Sequence, residues 1–134
     1  MAGELDWAEQ LLRRAADDEA AARALLPVTS VTDAIVGQHA QQGVEKAIKA
    51  ALAARSVEFP FIHDIAGLML LCKNAHIEIP DELRDADQLT PYAGALRYGQ
   101  DNPDLVDRET ALSWVTAAVK WAHRIVELTA AERD

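Results

Sequence analysis

Cysteine occurs once in the chain, at Cys72, so no disulfide can form within it. Multi-thiolate zinc and iron–sulfur sites are excluded as well, because one thiolate cannot build them. Aromatic residues make up only 5% of the chain, and 13 bases face 22 acids, which leaves a formal net charge of −9. A field of that sign repels free nucleic acid at long range, so no extended nucleic-acid partner is expected. No apolar run is long enough to span a membrane. The opening residues, MAGELDWAEQLLRR, carry no basic n-region, and a cytoplasmic protein without membrane contact is expected.

Several motifs of known chemistry are missing too. Gly37 and Gly43 fall inside a helical pattern and do not form the phosphate-cradling loop that precedes Lys and Ser or Thr. Neither GxGxxG nor the GxSxG elbow occurs. The four histidines, His39, His63, His76 and His123, lack HExxH or any other ligand spacing, so no metal and no cofactor are expected. Cys72 lies on an apolar helical face, where a packed, inert thiol is expected rather than a nucleophile.

What remains is helix-forming sequence: 50% of the residues are hydrophobic, and many of these are alanine or leucine. The pattern predicts five helical segments and no strand. The first runs from Leu5 to Leu26, with Trp7, Leu11, Ala15, Ala22 and Leu25 at helical spacing and Pro27 as its stop. The second runs from Val31 to Ala54, where Ser30 and Asp33 resemble a capping box. The third spans His63 to Ala75, with Ile65, Leu68, Met69 and Cys72 on its buried side. Proline breaks the fourth region into short pieces, Leu83 to Leu89 and Pro91 to Tyr98, with Thr90 as N-cap and Gly99 as terminator. The last helix, capped by Asp107, keeps Ala111, Trp114, Val115, Ala118, Trp121, Ala122, Ile125 and Leu128 on one face. Trp114 and Trp121 read as core or dimer interface. Such helices pack as an all-α, up-and-down bundle of four to five helices, and no repeat, linker or low-complexity tract divides residues 1–134 into more than one domain.

The second helix carries a polar stripe opposite its apolar one: Gln38, Gln42, Glu45 and Lys49 share a narrow arc, flanked by His39 and Lys46. Two readings are open. One is a solvated face with an i,i+4 Glu–Lys pair of about 0.2–0.5 kcal/mol. The other is a groove facing another helix, a dimer mate or a nucleotide phosphate. Arg97 reads either as a C-terminal helix cation or as a ligand contact.

The stretch Gln38-His39-Ala40-Gln41-Gln42-Gly43-Val44-Glu45-Lys46-Ala47-Ile48-Lys49-Ala50 resembles the signature second helix of HEPN domains. Other pieces agree in order: Trp7 in the first helix, His63-Asp64-Ile65 with Leu68 at the start of the third, and Arg97-Tyr98 in a turn where Gly99 replaces the family's proline. The resemblance implies a helical bundle that pairs as a homodimer. It also implies two lines of work. Some HEPN proteins are partners of a minimal nucleotidyltransferase in toxin–antitoxin pairs, and others are metal-independent ribonucleases with an Arg-x(4–6)-His motif. A nucleotide-binding role is part of the family's name.

No arginine of this chain has a histidine at the ribonuclease spacing: after Arg97 stand Asn102, Pro103 and Asp104, and Arg55 to His63 is too long and crosses Pro60. A general base near neutral pH is most naturally histidine, so its absence there argues against nuclease activity. The leading expectation is a non-enzymatic HEPN dimer that partners a minimal nucleotidyltransferase and binds a nucleotide through Gln42, Lys46, Lys49 and Arg97, with Glu45, His63 and Tyr98 as accessory residues. The alternatives are a ribonuclease toxin with a non-standard active site and a plain helical interaction scaffold.

Overall fold

The computed structural model describes residues 2–95 and 106–133, and among them there are helices and no strand. Three long helices form the frame: α1 (Ala2–Leu25), α2 (Asp33–Ala54) and, after the shorter α3 (Ile65–Asn74) and α4 (Tyr92–Ala95), α5 (Arg108–Arg133). Between α3 and α4 the chain makes two 3₁₀ turns, Asp81–Leu83 and Ala86–Leu89. No described helix is long and apolar enough to cross a membrane.

Helix α2 is the centre. It packs against α1, α5, α3 and α4, and from Ala47 to Ala54 every one of its side chains is buried. A helix covered all round needs small residues where neighbours close in. Ala40, Ala47, Ala50, Ala51 and Ala54 supply them, while Val44, Ile48 and Leu52 fill the spaces between. At Gly43 even a methyl group has no room: a Cβ there would run into Val115 of α5 and approach Asp18 of α1 at 3.2 Å. Gly37 likewise lies under the Tyr92 ring, 2.9 Å from where its Cβ would stand.

Several helix ends differ from the sequence reading, each for a physical reason. The N-cap of α2 is Thr32, not Ser30; its hydroxyl accepts the Ile35 amide at 3.4 Å. The corner before it is organised by Arg108 of α5. One of its guanidinium nitrogens donates to the carbonyls of Leu25 (3.1 Å), Leu26 (3.0 Å) and Val28 (3.1 Å). The other groups of the same side chain reach the Val31 carbonyl and the Asp33 carboxylate. Those carbonyls belong to the end of α1 and the loop, and Asp33 is the first residue of α2, so Arg108 ties the three together. Helix α3 starts at Ile65 rather than His63, because His63 is drawn aside to α2.

Where the sequence predicts a helical piece from Leu83 to Leu89, the fourth region has 3₁₀ turns. Thr90 does not cap; its hydroxyl accepts the Ile65 amide at 3.3 Å, tying this segment to the start of α3. The anticipated helix from Pro91 to Tyr98 is α4 as far as Ala95; Arg97, Tyr98 and Gly99 lie outside the described residues. On α1 the buried stripe is Ala8, Leu11, Ala15 and Ala22, and Trp7 is exposed. On α5 the expected Leu128 is exposed, and Val126 and Thr129 are buried instead, since the end of α5 turns toward Ala8, Leu11, Ala50 and Ala53. Asp107 does cap α5: its carboxylate accepts the Thr110 amide at 2.7 Å, and that bond holds its pKa below the ordinary carboxylate value.

Helices α2 and α3 both end in a Schellman turn, with Val57 N–H bonded to Leu52 O (2.9 Å) and Ile77 N–H to Cys72 O (2.8 Å). The residues at the left-handed position are Ser56 (φ 62°) and His76 (φ 61°), where glycine is the usual choice. Trp121 anchors the segment after α3 by donating its indole N–H to the Glu78 carbonyl at 2.9 Å.

Candidate functional site

The polar stripe of α2 divides between two neighbours. Gln41, Glu45 and Lys49 stand one turn apart and join on the side facing the loop before α3. The Gln41 amide donates to Glu45 Oε1 at 2.7 Å, and Lys49 Nζ donates to Glu45 Oε2 at 2.8 Å. All three residues are buried, with Glu45 at 6% exposure and Lys49 at 8%. Burying a carboxylate is costly unless opposite charge and hydrogen bonds replace its water, and here both oxygens are engaged.

His63 completes the group from outside. Its Nδ1 lies 2.9 Å from Glu45 Oε1, while 60% of the side chain remains exposed. In the neutral ring, a proton on Nδ1 facing the carboxylate leaves the other nitrogen as an acceptor. Lys49 makes a further contact: its ammonium stands 5.8 Å from the centroid of the Phe59 ring.

Lys46 points the other way, to α1, where its ammonium donates to Asp18 Oδ2 at 2.8 Å. His39 Nδ1 is 3.7 Å from the second oxygen of the same carboxylate. Gln42 is half-buried and makes no side-chain hydrogen bond among the described residues. Of the residues singled out in the sequence, the fold therefore brings together Glu45, Lys49 and His63, separates Lys46 from them, and leaves Gln42 between. Arg97 and Tyr98 lie outside the described residues.

Sequence reasoning passed over Gln41, Asp18 and Arg108. The first had a signal: Gln41, Glu45 and Lys49 recur every four residues, the spacing of side chains that touch along a helix. Asp18 and Arg108 had none, since their partners sit on other helices. Cys72 is buried, and burial pushes its thiol pKa up to about 12, which suits a packed residue rather than a nucleophile.

The arrangement can fasten a loop, hold one exposed imidazole in a fixed orientation and keep a buried charge pair neutral. Both lysines of α2 are held by carboxylates, Lys49 by Glu45 and Lys46 by Asp18, so neither offers a phosphate an uncompensated charge. No curated protein and no solved structure matches the chain. A family model does: the HEPN domain model matches residues 8–131, nearly the whole length, and the chain thus belongs to the HEPN family.

Proposed function

We propose that this chain is a non-enzymatic HEPN module that works by binding another protein, a minimal nucleotidyltransferase, and does so as a homodimer within a toxin–antitoxin type of pair. One observation carries the reading: the charged side chains of α2 satisfy one another and their neighbours, Lys49 with Glu45 and Lys46 with Asp18. A stripe neutralised in this way holds structure together. A nucleotide phosphate at either ammonium would also meet the negative charge of Glu45 or Asp18, so the nucleotide-binding part of the expectation has less support from Gln42, Lys46 and Lys49. The ribonuclease alternative lacks its Arg-to-His spacing.

The surface supports a binding role. Large hydrophobic side chains are left exposed at the start of α1 and in the loop before α3, namely Trp7, Phe61 and Ile62. Apolar surface left in water in one region marks contact sites on proteins.

The test is co-expression with a neighbouring reading frame that carries a Gly-Ser and Asp-x-Asp nucleotidyltransferase pattern. The two chains are expected to co-elute as one complex, and the purified HEPN chain alone is expected to leave single-stranded RNA and tRNA intact. RNA cleavage that is lost in His63→Ala would overturn the non-enzymatic reading.

A further inference from the structure

The loop between α2 and α3 is fastened at both ends and open in the middle. At its start the Ser56 hydroxyl donates to the Glu4 carboxylate of α1. At its end His63 is held by Glu45. Between them Val57 and Phe59 turn inward against the core, whereas Phe61 is 94% exposed. Trp7 of α1, 39% exposed, faces the same space, and together these residues line a groove of about 510 Å³.

The charged residues that line this groove are of one sign. Its charged lining residues are Glu4 and Glu58, and no base lines it among the described residues. Glu4 is partly engaged, by Ser56 and by Arg133 at 3.6 Å, whereas Glu58 makes no ion pair among the described residues. Aromatic faces are electron-rich and attract cations, most of all when water is partly excluded. The aromatic wall already shows this behaviour internally, with the Lys49 ammonium over Phe59. An apolar floor with carboxylates at its edge is complementary to a side chain that is both long and cationic, flanked by apolar neighbours.

A second copy of the chain is a poor occupant. The net charge is −9, and a two-fold contact through this face would set Glu4 and Glu58 of one copy near the same residues of the other. We propose that the groove between Trp7 and Phe61 is the docking site for a segment of the partner protein that presents an arginine or lysine beside an apolar side chain. The proposal rests on the partner-binding reading and adds to it a location and a chemistry. The cation lies against Trp7 or Phe61 and meets Glu58, and the apolar neighbour covers the groove floor. The two fastened loop ends hold Phe61 in position beforehand, which lowers the ordering cost of binding.

The experiment is a titration of the isotope-labelled full chain, followed by nuclear magnetic resonance. The probe is a capped Ala-Leu-Arg-Leu-Ala peptide, and the control has Gln in place of Arg. The Arg peptide is expected to shift the Trp7 indole signal and the amides of residues 56–64, and to bind about tenfold more tightly than the Gln peptide. Phe61→Ala and Glu58→Gln, both at exposed side chains, are each expected to weaken it about three- to tenfold with the rest of the spectrum unchanged. Equal binding of both peptides, shifts confined to another face, or binding unchanged in both variants overturns the proposal. So does a Phe61→Ala chain that turns from dimer to monomer, since a second copy would then be the occupant. A nucleotidyltransferase complex that forms equally well with Phe61→Ala overturns this placement and leaves the partner reading standing. Peptide binding here without any nucleotidyltransferase complex supports the groove and overturns that partner's identity.

Discussion

His63 Nδ1 meets Glu45 Oε1 at 2.9 Å, and this contact joins the loop before α3 to the middle of the central helix. It also explains an asymmetry within the cluster. Glu45 and Lys49 are buried and depend on each other, whereas His63 has most of its surface in water.

That asymmetry sets the order of mutational effects. Glu45→Ala leaves the Lys49 ammonium buried without its counterion and is expected to cost about 3–5 kcal/mol in urea unfolding. Replacing both residues by methionine is expected to cost less than the single change, because no unpaired charge then remains. His63→Ala is expected to cost no more than about 1 kcal/mol, as an exposed partner is screened by water. A double variant less stable than Glu45→Ala would show that the pair contributes more than mutual neutralisation.

Arg108 should be intolerant even of lysine. Its planar fork reaches the Leu25, Leu26 and Val28 carbonyls while also contacting Val31 and Asp33, and a single ammonium cannot span that set. Arg108→Lys is expected to lose about 2–3 kcal/mol, since the partly buried Leu26 and Val31 carbonyls would lose their charged donor. Hydrogen exchange should then rise first at the amides of Val28, Val31 and Ile35, which lie at this corner.

Gly43→Ala tests the three-helix crossing. Alanine is the better helix former by about 0.5–1 kcal/mol, yet its methyl would collide with Val115 and crowd Asp18. A net loss of about 1–2 kcal/mol is expected in chemical denaturation. Adding Val115→Ala should recover part of it, because the second change removes the atoms in the way.

At the ends of α2 and α3 the expected sign is the opposite. Ser56→Gly and His76→Gly relieve a left-handed backbone conformation that is unfavourable for residues with a Cβ. Each is expected to raise stability by about 0.5–1 kcal/mol, read as a higher urea midpoint at unchanged slope. A fall for Ser56→Gly would mean that the Ser56 hydroxyl bond to Glu4 outweighs the backbone strain.

Cys72 should be silent toward thiol reagents at pH 8. Its pKa of about 12 leaves almost no thiolate, and the sulfur is buried. Labelling is expected to follow global unfolding and to become fast in denaturant, where the thiol returns to its ordinary range. Fast labelling of the folded chain would indicate local opening of α3.

The frame was legible in the sequence because helical periodicity is repeated over many turns. On α2, Val36, Ala40, Val44, Ala47, Ile48 and Ala51 recur at helical spacing, and all are buried. Contacts between distant segments left no such trace. Glu45 and His63 come from separate helical patterns, and nothing in either pattern says which carboxylate the imidazole will meet. Lys46 and Lys49 look like neighbours on a helical wheel, but α1 approaches one side of α2 and the loop before α3 the other, and the acids there decide the partners. Ser56 and His76 escaped notice because helix ends are read from glycine, and neither position has one.

The corner that Arg108 closes has a consequence for biosynthesis. A chain leaves the ribosome from its N-terminus, so α1 and α2 emerge well before the residue that joins their ends. Arg108 follows Leu25 by 83 residues, and until it arrives the carbonyls of Leu25, Leu26 and Val28 lack the guanidinium that joins them. The α1–α2 hairpin can form early from local contacts, but its turn becomes fixed only once α5 has been made. A nascent chain stalled before Arg108 should therefore expose this turn to proteases, and one released just beyond α5 should protect it.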